Sequence, residues 1–399
     1  MRILQIIPSI SLVYGGPSQM VLGLSAALAF RGIDVTIITT DSNGDIGQLP
    51  LDVPLNQPIK QNGYQIIYFR CSPFRRYKFS LSLLQWLKAN AQRFDLAHIH
   101  ALFSPVTTLA ATIARYHHLP YIIRPCGMLD PADLQKKKRL KQIYATLLER
   151  PNLAGAAAIH FTSKEEAKIS ERFGLNFTGK MPVPRDLVIP LGVTGGLFPK
   201  RLPESQVPII LFMSRIEPKK GLDLLIPALE SILGSGIEFH FILAGSNPQD
   251  AEYETQIKVQ IQNSSLAKYT TITGFVSGDL KVELLTKADL FVLPSYYENF
   301  GIAVAEAMAA GVPVAISDRI HIAEDIQQAE AGWVGPLEVG AIAHSIKSAL
   351  LNPEERQRRG LNGKKYAEKY YNWEAIAQQT INAYQQILSS IAEGRRNKQ

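Results

Sequence analysis

Asp289-Leu-Phe-Val-Leu-Pro-Ser295, Tyr296-Tyr-Glu298-Asn-Phe-Gly301 and Ile302-Ala-Val-Ala-Glu306-Ala-Met-Ala-Ala310-Gly-Val-Pro313 follow one another without a break, and the reading of the chain turns on them. The apolar run ending at Pro294-Ser295 reads as a buried strand. The Ala-rich stretch from about Phe300 to Ala310 reads as a helix closed by Gly311. Glu298 then falls in the strand-to-helix loop, and Glu306 lies two turns into the helix on a face that can look back toward it. Between them Asn299, Phe300 and Gly301, with Ile302 behind, offer the first free backbone N–H groups of the helix. Such amides form an anion site. Two carboxylates around a phosphate-sized anion site suit a phosphorylated sugar with many hydroxyls.

Outward from this stretch, strand-like runs alternate with helical periods, which predicts an α/β fold with parallel sheets. The first series is Arg2–Ile7, Asp34–Thr39, Gln65–Phe69, Leu96–His100, Tyr121–Arg124, Ala157–Phe161 and Leu187–Ile189. The second is Pro208–Met213, Glu238–Ala244, Thr270–Thr273, Leu290–Leu293 and Pro313–Ile316. Leu191-Gly-Val-Thr-Gly-Gly-Leu-Phe-Pro-Lys-Arg-Leu-Pro203 separates them and reads as a linker. At 399 residues, two domains are the default. The expected division is 1–190, a linker at 191–204, 205–372, and a last helix near Trp373–Ala392 with a basic tail within 373–399.

With 46% hydrophobic and 19% charged residues the composition is globular, and no apolar run is long enough for a transmembrane helix. Met1-Arg-Ile-Leu-Gln-Ile-Ile7 breaks at Pro8 without a cleavage site and reads as a first buried strand rather than a signal peptide. Cys71 and Cys126 are too few for a disulfide framework, so a reducing cytoplasm fits. The net charge of +7 is uneven. Residues 1–200 carry 23 Lys and Arg against 12 Asp and Glu, and residues 201–399 carry 19 against 23. The first half therefore suits an anionic partner.

Other candidates sit at strand ends. Ser214-Arg215-Ile-Glu-Pro-Lys219-Lys220-Gly221 follows the first strand of the second series; Arg215 can fork two phosphate oxygens and Lys220 adds a point charge. Gly15-Gly16-Pro17 follows the first strand of all and lacks the G-x-G-x-x-G pattern, which disfavours a nicotinamide. Ala244-Gly245 and Gly274-Phe275-Val276 end two further strands. His98-Ile-His100 puts two histidines on one strand face with no third ligand nearby, and His100 is the one expected to face a ligand. Two basic clusters, Arg70…Arg75-Arg76-Tyr77-Lys78 and Lys136-Lys137-Lys138-Arg139…Lys141, read either as solvated faces or as attractors of anionic head groups. No nucleic-acid motif accompanies them.

The Glu298…Glu306 pair, with seven residues between, resembles the two-glutamate motif of retaining glycosyltransferases of family 4. That resemblance implies the GT-B architecture: α/β, two doubly wound Rossmann-like domains facing a cleft, the last helix returning to the first domain. It implies a nucleotide diphosphate hexose, UDP- or GDP-linked, as co-substrate, with no other cofactor and no metal. By resemblance Glu298 lies beside the transferred sugar, Glu306 binds the ribose hydroxyls, and Arg215 and Lys220 neutralise the diphosphate. Gly15 and Gly16 would approach the donor phosphate, and the loops at Gly245 and at Gly274, Phe275 and Val276 would hold the base. Many members end the strand after His100 with a histidine; this chain has Arg124-Pro125-Cys126-Gly127-Met128-Leu129-Asp130, which resembles a subgroup whose Pro-x-Gly-Met-Leu loop lines the acceptor side. The acceptor-side candidates are His100, Arg124, Cys126, Gly127 and Met128. The implied reaction transfers a hexose to a hydroxyl acceptor, lipid-linked or a glycan precursor, at the cytoplasmic face of a membrane. Another GT-B reaction such as sugar-nucleotide epimerisation, or nucleotide-sugar binding without turnover, stays open.

Overall fold

The computed structural model describes all residues except 46–47, 74–76, 132–133, 135–137, 172, 174, 176–185, 194–197, 199–206 and 397–399. Arg75, Arg76, Lys136 and Lys137 of the basic clusters, most of the expected linker and the end of the tail therefore lie outside the described residues. The chain divides into unit 1, Met1–Gly192 with Trp373–Gln399, and unit 2, Val193–Asn372.

Unit 1 carries an eight-stranded sheet built from β1 (Arg2–Ser9), β2 (Asp34–Thr40), β3 (Pro58–Gln61), β4 (Tyr64–Phe69), β5 (Leu96–His100), β6 (Tyr121–Arg124), β7 (Ala158–Phe161) and β8 (Asp186–Val188). Their spatial order is β3-β4-β2-β1-β5-β6-β7-β8, with only β3 antiparallel to its neighbour. Strands covered on both faces read as unbroken apolar runs, and β5 and β6 are buried at every position. Pro58-Ile-Lys-Gln61 is an edge strand that the sequence reading does not contain. Its polar, mostly exposed residues carry no apolar period.

Unit 2 carries β9 (Ile209–Met213), β10 (His240–Ala244), β11 (Thr270–Gly274), β12 (Leu290–Leu293), β13 (Val314–Ser317) and β14 (Gly332–Gly335), in the order β11-β10-β9-β12-β13-β14, all parallel. Numbered within the unit this is 3-2-1-4-5-6, whose order reverses between β9 and β12. Open α/β sheets bind ligands just beyond the strand ends at such a reversal.

The last helix, Trp373–Arg396, packs on the helix Gly16–Phe30 of unit 1. Arg31 pairs with Glu374 at 2.8 Å, and the Trp373 ring leaves no room for a Cβ at Gly23 or Gly192. Among the described residues no helix is long and apolar enough to cross a membrane.

Candidate active site

In unit 2 the loops after β9 and β12 are tied together where the strand order reverses. The Tyr296 amide donates to the Lys219 carbonyl at 2.8 Å, and Gly221 presses on the Pro294 carbonyl. Gly221 has φ +72°, and a Cβ there would stand 2.0 Å from Pro294 O. Gly221→Ala is therefore expected to cost about 2–4 kcal/mol through the left-handed backbone and the clash, read as a lower denaturant midpoint. An unchanged midpoint would mean that the two loops are not locked at this point.

Lys220, buried at the end of that lock, forms an ion pair with Glu298 Oε1. Glu217 gathers the same cations, with Oε1 3.2 Å from Arg215, 3.6 Å from Lys219 and 3.9 Å from Lys220. Burial by itself raises the Glu298 carboxyl, but Lys220, Lys219 and Arg215 together hold it below its ordinary value. Burial pushes the Lys220 amine down, and Glu298 restores part of that. The Glu298 backbone is fixed from the other side, where its amide reaches Arg319 O at 3.3 Å and its carbonyl accepts from the His321 amide at 3.1 Å. Arg215 stays 41% exposed along its side chain, at the edge of the cluster.

The helix after this loop runs Ile302–Ala309, so it starts two residues later than the apolar pattern predicts. Gly301 is its N-cap at φ +81°, and its carbonyl accepts from the Val304 and Ala305 amides. The helix-start amides are accordingly those of Gly301, Ile302 and Ala303, not of Asn299 and Phe300. Phe300 is a core residue, its ring 5.2 Å from that of Tyr371. Glu306 sits on the second turn, and Lys281, from the helix Gly278–Lys287, grips its Oε1 at 2.6 Å.

Gly245, at the end of β10, has φ +151° and would drive a Cβ to 1.8 Å from Ser214 O, so the chain just before Arg215 rests on it. Gly274 ends β11, and Phe275 beyond it is 60% exposed.

Unit 1 places its candidates differently. His98, His100 and His160 are buried and joined: His100 Nε2 meets Gln5 Oε1 at 2.6 Å, His98 Nδ1 meets the Tyr384 hydroxyl at 2.8 Å, and His160 Nδ1 meets His98 Nε2 at 3.2 Å. Burial, then neighbouring positive groups, holds all three well below the ordinary histidine value. His100 is thus an interior residue rather than a ligand-facing one. Arg124, its Cα partner on β6, is buried as well, with Nη1 against Met20 Sδ. Neither side chain of these two acceptor-side candidates is exposed, because β5 and β6 are central strands whose last side chains turn into the core.

The loop that follows remains at the strand ends, with Cys126 at φ +55° and Gly127 at φ +80°. Gly127 donates to Glu166 Oε1 at 3.0 Å, and Met128 Sδ accepts from the Leu102 amide at 3.3 Å. Burial pushes the Cys126 thiol up to about 11, which leaves it a poor nucleophile. Gly15, at φ +71°, caps the helix that begins at Gly16. Among the described residues no group of three or more His, Cys, Asp or Glu is placed to hold a metal ion.

Sequence reasoning missed Glu217, Lys281, Glu149, Glu166, Gln5 and Tyr384. Glu166 and Glu217 carry a readable local signal, since Glu166 accepts from the Thr162 amide four residues away at 2.6 Å and Glu217 meets Arg215, Lys219 and Lys220 within three residues. The others meet their partners only across the fold.

Comparison with known proteins gives two family matches. Residues 15–186 match the glycosyl transferase 4-like domain, and residues 197–366 match the glycosyl transferases group 1 family. Over 180 residues, 44% of each chain, this protein is 35% identical to an uncharacterized glycosyltransferase of Methanocaldococcus jannaschii. Over 306 residues, 75% of this chain and 70% of the other, it is 29% identical to the alpha-D-kanosaminyltransferase of Streptomyces kanamyceticus. The crystal structure of Anabaena HepE in complex with UDP and glucose aligns at a TM-score of 0.73 and 19% identity, over 97% of this chain and 100% of that one. With its two parallel-sheet α/β units, the chain has the GT-B fold.

Proposed function

We propose that this chain, which belongs to the group 1 glycosyltransferases, moves a hexose from a nucleotide diphosphate sugar to a hydroxyl acceptor with retention and without a metal. The observation that carries the reading is the cluster of Arg215, Lys219 and Lys220 around Glu298, three residues ahead of the helix-start amides at Gly301–Ala303. Positive charge and amides held where a diphosphate departs stabilise the charge that develops as the bond to the sugar breaks.

In this reading the anomeric carbon loses its bond to the phosphate oxygen and gains one to the acceptor oxygen on the same face. The departing phosphate takes the acceptor proton. Glu298 orients the sugar rather than attacking it, and the pairing of its Oε1 with Lys220 holds the carboxylate in place for that role. HepE was solved with UDP and glucose, so UDP-linked hexoses are the donors to screen first, with GDP-linked hexoses beside them.

The test is a panel of nucleotide sugars scored by protection against thermal unfolding, since a ligand of the folded state raises its apparent stability. The protecting donor is then incubated with hydroxyl acceptors, with and without EDTA, and the anomeric configuration of the product is read by NMR. Transfer with inversion, or transfer abolished by EDTA, would remove the corresponding clause. Epimerised or hydrolysed donor with no acceptor product would replace transfer as the function.

The same reading places the acceptor end of unit 1 against an anionic membrane. Beside the basic run at Lys136–Lys141, Arg139, Ile143 and Leu147 are spaced four residues apart and exposed, Ile143 at 60% and Leu147 at 68%. Basic residues beside uncovered apolar ones suit a surface of anionic lipid, each near charge adding about 1 kcal/mol. Replacing Lys136, Lys137, Lys138 and Arg139 by Gln is expected to weaken binding to anionic vesicles, most clearly at low salt, with donor affinity unchanged. Equal binding of wild type and variant to anionic and neutral vesicles would return the cluster to a solvated face.

A further inference from the structure

Glu298 and Glu306 are held in the same way by different parts of unit 2. Each has one carboxylate oxygen taken by a lysine from a neighbouring element, Lys220 for Glu298 and Lys281 for Glu306. Lys281 closes the first turn of the helix Gly278–Lys287, which opens four residues beyond Gly274, whose neighbour Phe275 is exposed. Both members of the Lys281–Glu306 pair are largely covered, at 25% and 15% side-chain exposure. Among the described residues the one side-chain partner recorded for Glu306 is Lys281, on Oε1.

We infer that Lys281 is a positioning residue for the nucleotide ribose: by gripping Oε1 of Glu306 it fixes the carboxylate and leaves Oε2 to accept from the ribose hydroxyls. The inference rests on the donor reading above and deepens it. A glutamate on a helix has several side-chain torsions, and binding to a freely turning carboxylate would have to freeze them. With Lys281 in place that ordering is done before the ligand arrives. The helix that supplies Lys281 also follows the candidate base loop directly, so the base end and the ribose end of the nucleotide are set by one element.

The experiment is calorimetric titration of wild type, Lys281→Met, Lys281→Arg, Glu306→Gln and the Lys281→Met/Glu306→Gln double variant. The probes are UDP and GDP and the 2′,3′-dideoxy form of each, with far-UV circular dichroism to verify folding. Wild type is expected to prefer the ribo form. Lys281→Met should lose roughly three- to tenfold of affinity for the ribo form, the range that freed side-chain rotation allows, and none for the dideoxy form. Lys281→Arg should retain the preference, and Lys281→Met should add nothing once Glu306 is Gln.

Equal loss for ribo and dideoxy forms would put Lys281 on the phosphates or the base and overturn the inference. An unchanged preference in Lys281→Met would overturn it too, with the donor reading left standing. A wild type that binds neither nucleotide, or binds both forms alike, would remove the ribose reading of Glu306 and this inference together.

Discussion

Arg215→Ala is expected to lower hexose transfer by about 100-fold or more, the usual loss when a group aimed at developing charge is removed, while unit 2 unfolds at an unchanged denaturant midpoint. Its side chain is 41% exposed and contacts Glu217 at the rim of the cluster, and surface replacements of that kind stay within about 0.5 kcal/mol. Lys220→Ala should lose transfer to a similar degree but behave differently in stability. Removing that buried amine leaves the Glu298 carboxylate, 13% exposed, without its nearest partner, and breaking such a pair costs up to about 3–5 kcal/mol. Adding Glu298→Gln to Lys220→Met should recover most of the midpoint and none of the transfer, because the charge imbalance is relieved and the cation is still missing. Near-normal turnover in both single variants would sink the assignment of the cations. An unchanged midpoint in Lys220→Ala would mean that the buried pair with Glu298 does not hold the loops together.

The second expectation concerns acid. His98, His100 and His160 are held neutral inside unit 1, their folded pKa values pushed well below the ordinary 6.5 by burial first, with the Arg124 charge acting in the same direction on all three. Below about pH 6.5 the unfolded chain takes up protons on these rings and the folded chain does not. Their stabilisation is therefore fully present above that pH and is lost as pH falls toward the folded values. Each neutral ring contributes a slope of about 1.4 kcal/mol per pH unit in that window, so the three together approach about 4. Glu149, whose carboxyl burial pushes up, titrates in the opposite sense and offsets part of this. Urea unfolding followed by tryptophan fluorescence at pH 7.5 and 5.5 reads the effect, since Trp86 and Trp373 lie in unit 1. Equal midpoints at the two pH values would mean that the rings are not held neutral.

What was legible in the sequence follows from how far each signal reaches along the chain. Buried parallel strands are apolar on both faces, so Leu96–His100, Tyr121–Arg124 and Leu290–Leu293 are read to the residue. Gly332-Trp-Val-Gly335 escapes because two glycines break its run, although it pairs with β13 along its whole length. The carboxylates and cations of unit 2 were legible as residues at strand ends, but their pairing was not, because Lys220 and Glu298 are 78 positions apart and Lys281 and Glu306 are 25. His98 and His100 show the converse. Two histidines on one strand face suggest a ligand, but Tyr384, 286 residues later, is what His98 meets. No local pattern announces a helix that returns from the far end of the chain.

The ends of unit 2 lie side by side. The Val193 amide donates to the Tyr371 carbonyl at 2.6 Å, and Val193 pairs with Asn372 as a short parallel bridge. Such a segment is a cassette: it leaves and rejoins the remainder of the chain at neighbouring points, with Gly192 and Trp373 as the flanking splice positions. Grafting residues 193–372 from a homologue between those two residues would exchange one whole sheet without opening the other. Recombination at two neighbouring seams, rather than accumulated point changes, could then pair an inherited unit 1 with a new unit 2.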